Sequence, residues 1–224
     1  QGGGRIGAGA GGEFHRFGLA MTIDRLIAGF KSFRESYYEQ QPDFYRSLVE
    51  RGQSPEVMII ACADSRVNPS IIAKAQPGEL FIVRNVANLV PPYEPDGRHH
   101  STSAAIEFAV RDLEVKHIIV LGHSHCGGIR HLCQGPQGGG EREFVEAWVS
   151  IVREAQDDSL EGEAQLRHVE RQAVKISLAN LCTFPWIESR VAAGKLTLLG
   201  WWFDLMAGEL LSHEAGGGWK RLTG

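Results

Sequence analysis

No apolar run in this 224-residue chain approaches the roughly 20 residues that a membrane-spanning helix requires. Basic charge is not in excess either. The net charge is −4, so the sequence lacks the electrostatic footprint of a nucleic-acid or anionic-membrane binder. Cysteine is scarce. Cys62, Cys126, Cys133 and Cys182 are the full set, too few in a chain of this length to read as a disulfide scaffold. No basic start followed by an apolar stretch opens the sequence, so no secretory signal is read and a reducing, cytoplasmic compartment is expected. No internal repeat is present. What remains is an ordinary globular composition, 43% hydrophobic and 22% charged, enough for one well-buried domain.

Glycine marks the boundaries. Residues 1–12, "QGGGRIGAGAGG", cannot bury a core. Residues 1–20 are read as a flexible head, a linker or tag remnant. Residues 21–215 are read as a single domain and 216–224 as a flexible tail. "CQGPQGGGERE" (Cys133–Glu143) reads as a surface loop. Thr22 caps a helix whose stripe is Ile23, Leu26, Ile27, Phe30, Phe33 and Tyr37. Pro42–Gly52 has a proline at its start and a glycine at its end, the order of a short helix. Apolar runs at Val57–Ile60, Leu80–Val83, His117–Gly122 and Leu196–Leu205 read as strands, with a weaker fifth in "GELLSH". Helical spacing falls at Ser101–Glu114 and Gly162–Leu181. Short apolar strands separated by helices predict an α/β fold, a mostly parallel four-stranded sheet with helices on both faces.

In such sheets chemistry sits just past the carboxyl ends of strands. Two segments occupy those places: "ACADSRV" after the first strand and "GHSHCGG" after the third. Cys62 and Cys126 reach one rim if the two strands are neighbours. His123 lies three residues before Cys126, a spacing that wraps one ion within a turn. His125, adjacent to Cys126, points elsewhere and is read as a bystander. Two thiolates and one imidazole form a catalytic zinc set that leaves a fourth position for water. A cysteine at a strand end is more often plain packing. The charged pair Asp64 and Arg66 argues against that here, because charge leaving a buried strand is costly unless paired. The pair reads as a dyad.

"CADSRV" (Cys62–Val67) and "GHSHCGG" (Gly122–Gly128), about sixty residues apart with "RNVAN" (Arg84–Asn88) between them, resemble the two signature motifs of the β-class carbonic anhydrases. The resemblance runs from about Thr22 to about His213. It implies a parallel sheet with an antiparallel edge strand. It also implies extended N-terminal helices that embrace a neighbouring subunit, and a homodimer, tetramer or higher assembly. It implies zinc on Cys62, His123 and Cys126, with Asp64 and Arg66 as the catalytic dyad. The expected activity is reversible hydration of carbon dioxide to bicarbonate and a proton, by zinc-bound hydroxide that the dyad orients.

The residues agree with that chemistry. Zinc acidifies its water, and Asp64 can accept the hydroxide's hydrogen bond. Arg66 can hold Asp64 by a bidentate pair and keep it off the metal. The Gly127 N–H, at a helix start, can support a substrate oxygen. Asp64 is also the candidate fourth ligand of a closed state. Some members of the family close in this way with a non-catalytic bicarbonate pocket built on Trp, Arg and Tyr. The corresponding residues here are Ile59, Arg84 and Phe203, so no such switch is expected. Carbon disulfide or carbonyl sulfide hydrolysis on the same scaffold is the alternative activity. A zinc-structured assembly subunit would need no open position, and a thiol redox protein would carry C-x-x-C.

Among the remaining residues, His99 and His100 are read as solvated loop histidines, with proton transfer as their alternative role. Cys133 and Cys182 are read as buried thiols, and Trp201 and Trp202 as packing residues. Asn85 and Asn88 are read as loop ties.

Overall fold

The computed structural model describes residues 22–138 and 140–222. Two compact units divide at Gly52, inside the span read as a single domain. The glycine-rich head, 1–20, lies outside the described residues.

The first unit is helical. Helix α1 (Ile23–Arg34) begins at Thr22, whose Oγ1 accepts the Arg25 N–H at 3.2 Å. A π turn, Glu35–Glu39, continues it. Helix α2 (Pro42–Arg51) carries proline at its first position and is closed by Gly52 at φ 71°. Phe33, Tyr37, Tyr38, Phe44 and Tyr45 gather into one aromatic cluster, ring centroids 4.9–6.1 Å apart.

The second unit is a six-stranded sheet in the order β2-β1-β3-β4-β5-β6. In chain order the elements are β1 (Val57–Cys62), α3 (Pro69–Ile72), β2 (Leu80–Asn85), α4 (Ser101–Glu107), β3 (His117–His123) and α5 (Gly127–Gln134). Helices α6 (Val145–Val149), α7 (Gly162–Cys182) and α8 (Pro185–Ala192) follow, then β4 (Thr197–Asp204), β5 (Glu209–His213) and β6 (Trp219–Arg221). Strands β2, β1, β3 and β4 are parallel, while β5 and β6 are antiparallel. The expected four parallel strands and antiparallel edge are present, and a sixth strand extends that edge. Residues 219–221 belong to the stretch read as a flexible tail. Pairing of Trp219 with His213 and of Lys220 with Ser212 orders them instead.

The central strands are buried on both faces, as parallel strands are. Met58, Ile60, Ile118 and Val120 enter one apolar cluster, with Ile106 and Val110 from the α4 region, Val174 and Leu181 from α7 and Ile187 from α8. Ile59, Ala61, Ile119 and Leu121 alternate onto the other, beside Val67. Helix α7 buries Leu166, Val169, Glu170, Ala173, Val174, Ser177 and Leu181 along one stripe. It lies close on the sheet because Gly122 and Gly200 leave room. A Cβ on Gly200 would stand 2.8 Å from Leu178 Cδ1 and 2.9 Å from Val174 Cγ1.

The chain runs from β1 to β2 on one side, then returns to place β3 on the other side of β1. The strand order therefore reverses between β1 and β3. A crevice beyond the carboxyl ends of strands opens at such a reversal. Cys62 ends β1 and His123 ends β3.

Candidate active site

Cys62, His123 and Cys126 converge at that crevice. One ligand atom from each lies within 4.8 Å of the others, and all three residues are buried. Their surroundings are apolar, with Ala87, Leu89, Ile129, Leu166 and Val169 in the same cluster. The two sulfurs are 3.9 Å apart, far beyond the roughly 2.05 Å of a disulfide. His123 Nδ1 lies 2.8 Å from the Ser124 carbonyl. A carbonyl only accepts, so Nδ1 carries the proton and Nε2 keeps its lone pair. Nε2 is buried and has no hydrogen-bond partner among the described residues. A buried lone pair facing two sulfurs is costly to leave unused, and a soft divalent ion such as zinc fits this donor set.

The sulfurs also perturb each other. The hydrogen bond from Cys126 draws the Cys62 thiol down, with burial opposing and His123 assisting. Cys62 and burial push the Cys126 thiol up, while the Ile129 and Gly128 N–H groups at the start of α5 oppose them.

Asp64 stands beside this set, held by Arg66 at three points. The Arg66 backbone N–H and Nε both donate to Oδ1 at 2.9 Å, and Nη2 donates to Oδ2 at 2.7 Å. The Arg66 side chain, and then its backbone N–H, hold the Asp64 carboxyl down to about 2 against the effect of burial. The turn beneath is tied by a residue whose part the sequence did not reveal. Arg84 donates from Nε to the Cys62 carbonyl and from Nη2 to the Asp64 and Val67 carbonyls. Its guanidinium is thereby committed to the backbone of "CADSRV". Ile59 and Phe203 sit in the apolar cluster on one sheet face.

Gly127 begins α5, with Cys126 as its cap. Apart from its chain neighbours and its own helix backbone, a Cβ at Gly127 would meet no atom of the described residues within 4 Å, so space lies open above its backbone. Gly128 is different. A Cβ there would come 2.7 Å from Val86 Cγ1 and 3.0 Å from Ala87 Cβ, which presses α5 onto the "RNVAN" turn.

His125 lies outside the ligand group, as its spacing suggested, but it is not idle. Its backbone is left-handed, φ 57°. Its carbonyl accepts Arg66 Nη2 at 3.0 Å and its Nδ1 accepts Arg167 Nη2 at 2.9 Å. Arg167 also holds Glu170, whose Oε1 accepts the Cys126 N–H at 3.0 Å. Burial pushes the Glu170 carboxyl up, opposed by the Cys126 N–H and Arg167. Glu170 carries a mark visible in the sequence: it is a carboxylate on the apolar stripe of α7.

Of the other residues singled out, Asn85 ties its loop as expected. Its Oδ1 accepts the Leu89 N–H, and its Nδ2 donates to the Leu89 carbonyl and Thr102. Trp202 is fully buried. His100 Nε2 pairs with Asp96 at 2.6 Å. The expectation for Cys182 and Cys133 is corrected. Cys182 is exposed and Cys133 half-buried. Leu181 ends the buried stripe of α7, and the next residue is rotated some 100° away from the core.

Residues 57–210 match the model of the carbonic anhydrase family. The chain belongs to the β-class carbonic anhydrases. It is 39% identical over 195 residues to β-carbonic anhydrase 3 of Arabidopsis thaliana, covering 84% of this chain and 75% of that protein. It is also 39% identical over 191 residues to the same plant's β-carbonic anhydrase 5, named as chloroplastic, covering 83% of this chain and 62% of that one. The solved β-carbonic anhydrase CcaA superposes with a TM-score of 0.79 at 32% identity, covering 90% of this chain and 92% of its own. A tetrameric β-carbonic anhydrase of Sordaria macrospora gives 0.73 at 28% identity, with 90% and 97% covered. As a carbonic anhydrase the chain is an enzyme of carbon dioxide hydration, and a Cys-His-Cys group able to hold a metal lies at its strand reversal.

Proposed function

We propose that this chain catalyses zinc-dependent, reversible hydration of carbon dioxide, with Cys62, His123 and Cys126 as ligands and Asp64 and Arg66 as the catalytic pair. The observation that carries this is the convergence of three buried donor atoms beside a carboxylate locked by a guanidinium. Held by Cys62, His123 and Cys126, zinc would supply a water acidified enough to act as hydroxide near neutral pH. The chain's own groups do the rest. Among the described residues Asp64 Oδ2 has a single partner, Arg66 Nη2, and keeps a lone pair for the proton of the attacking water. The grip of Arg66 keeps Asp64 ionised and turned toward the guanidinium rather than toward the sulfurs. The Gly127 N–H, with open space above it, serves a substrate or bicarbonate oxygen. The commitment of Arg84 to three carbonyls supports the absence of a bicarbonate-gated closed state, in which Asp64 would become the fourth ligand. Self-association as a dimer or tetramer is part of the proposal, supported by the tetrameric Sordaria relative.

Metal analysis with stopped-flow hydration across pH is the test. One zinc per chain with turnover that rises toward alkaline pH is expected. Stoichiometric zinc without hydration at any pH overturns the reading. Hydrolysis of carbon disulfide or carbonyl sulfide outpacing hydration overturns the substrate.

A further inference from the structure

Helix α7 carries an anomaly. Leu166, Val169, Ala173, Val174, Ser177 and Leu181 make a buried stripe, and Glu170 sits among them with its side chain 1% exposed. Packing alone would favour an apolar residue, because a buried carboxylate is costly unless paired and hydrogen-bonded. Both its oxygens are engaged. Oε1 accepts the N–H of Cys126, and Oε2 accepts Arg167 Nη1 at 2.5 Å.

Arg167 extends the connection. Its Nη2 donates to His125 Nδ1 at 2.9 Å and to Glu163 Oε2 at 2.8 Å. The acceptor role fixes the His125 ring as the neutral tautomer protonated at Nε2. The carbonyl of His125 in turn accepts Arg66 Nη2, which holds Asp64. A continuous chain of hydrogen-bonded residues results: Cys126, Glu170, Arg167, His125, Arg66, Asp64. It joins a sulfur donor on one loop to the carboxylate on the other, and it crosses a non-glycine residue held at φ 57°. That conformation persists where surrounding contacts over-determine it, and here Arg66 grips the carbonyl while Arg167 grips the ring.

Arg167 is also the counter-charge of Glu170: its Nη1 lies 2.5 Å from Glu170 Oε2, while its Nη2 serves Glu163 and His125.

Resting on the reading of Cys62, His123 and Cys126 as a zinc centre, we propose that Arg167 is a positioning residue. Through Glu170 it sets the Cys126 ligand, and through His125 it sets the Asp64–Arg66 pair, so that metal and carboxylate share one frame. Arg167 touches neither substrate nor metal.

The test uses purified zinc-loaded protein carrying Arg167→Ala or Glu170→Gln, with folding checked by thermal melt. Three quantities are read: zinc affinity by chelator competition, the thiolate-to-metal charge-transfer band of the cobalt-substituted protein, and kcat/KM for hydration. Both variants are expected to bind zinc about 10- to 100-fold more weakly, to shift the cobalt band, and to lose a comparable factor in kcat/KM. A merely structural role would lower the melting temperature and leave the affinity and cobalt band of the folded protein unchanged. That result overturns the proposal. Should Arg167→Ala fail to fold, Glu170→Gln decides. It keeps the shape and an acceptor for the Cys126 N–H but loses the ionic bond, and wild-type zinc affinity there overturns the role of Arg167. A wild-type chain that binds no zinc defeats the reading of the site instead. A zinc-loaded, active wild type with unmoved variants defeats only this inference.

Discussion

Asp64 concentrates the consequences that belong to single residues. Asp64→Asn leaves the three donor atoms in place and removes the charge that Arg66 grips. Zinc content should stay at wild type while kcat/KM falls at least about 10-fold, measured by stopped-flow hydration and metal analysis. Its pH signature follows from its depressed pKa. The folded carboxyl titrates at about 2 and the unfolded one near 3.9. Its stabilisation is therefore present above about pH 4 and is lost as pH falls through about 2. The gap in melting temperature between wild type and Asp64→Asn should hold from neutrality down to about pH 5 and close below it. A gap that widens in acid would contradict the pairing with Arg66. Loss of turnover between about pH 8 and 5 must then come from a group other than Asp64. At this scale the sequence was informative where chemistry is crowded into few positions. "CADSR" and "HSHC" announce themselves because unusual side chains sit at fixed short spacings. Arg84, Arg167 and Glu170 do not, because the bonds that tie them to the site loops span 17 to 44 residues of chain and only the fold makes those partners neighbours.

Elements were legible in proportion to their length and burial. The strands at Val57–Cys62 and His117–His123 are continuous apolar runs, and α7 shows its stripe over six turns, so each was expected close to where it lies. Trp219–Arg221 was not, since three residues with little burial are a strand only because β5 offers them a partner. Helix α8 went unread although Pro185 opens it at the position where proline is tolerated. The packing of α7 on the sheet rests on two residues without side chains. Gly200→Ala puts a methyl 2.8 Å from Leu178 and 2.9 Å from Val174. Overpacking of this kind should destabilise by about 1–3 kcal/mol, read from the urea midpoint. Cys62 and His123 are the last residues of β1 and β3 and Cys126 follows just beyond, all away from Gly200 in the middle of β4, so zinc content per folded molecule should be unchanged. A midpoint equal to wild type would show that α7 can shift freely.

For the whole molecule, removal of metal should act on stability as well as on activity. Chelation exposes the cost of a buried imidazole lone pair and two buried sulfurs with nothing between them. A ligand present at about 100 times its Kd stabilises by about 2.7 kcal/mol, worth roughly 5–10 °C in a domain of this size. Differential scanning with and without chelator should show that loss, and readdition of zinc should reverse it. Unchanged melting would mean that the three donors do not share an ion.

The strand reversal between β1 and β3 also bears on the order of events during folding. His123 and Cys126 are three residues apart, so an unfolded chain already offers two of the three ligands close together. Cys62 joins them only when two strands about sixty residues distant have paired in parallel, a slow, non-local step. For the zinc centre proposed above, full affinity would arise only after the centre of the sheet has closed. Metal capture would then be a clock for that closure, and the ion a latch on a nearly finished fold rather than a seed for it.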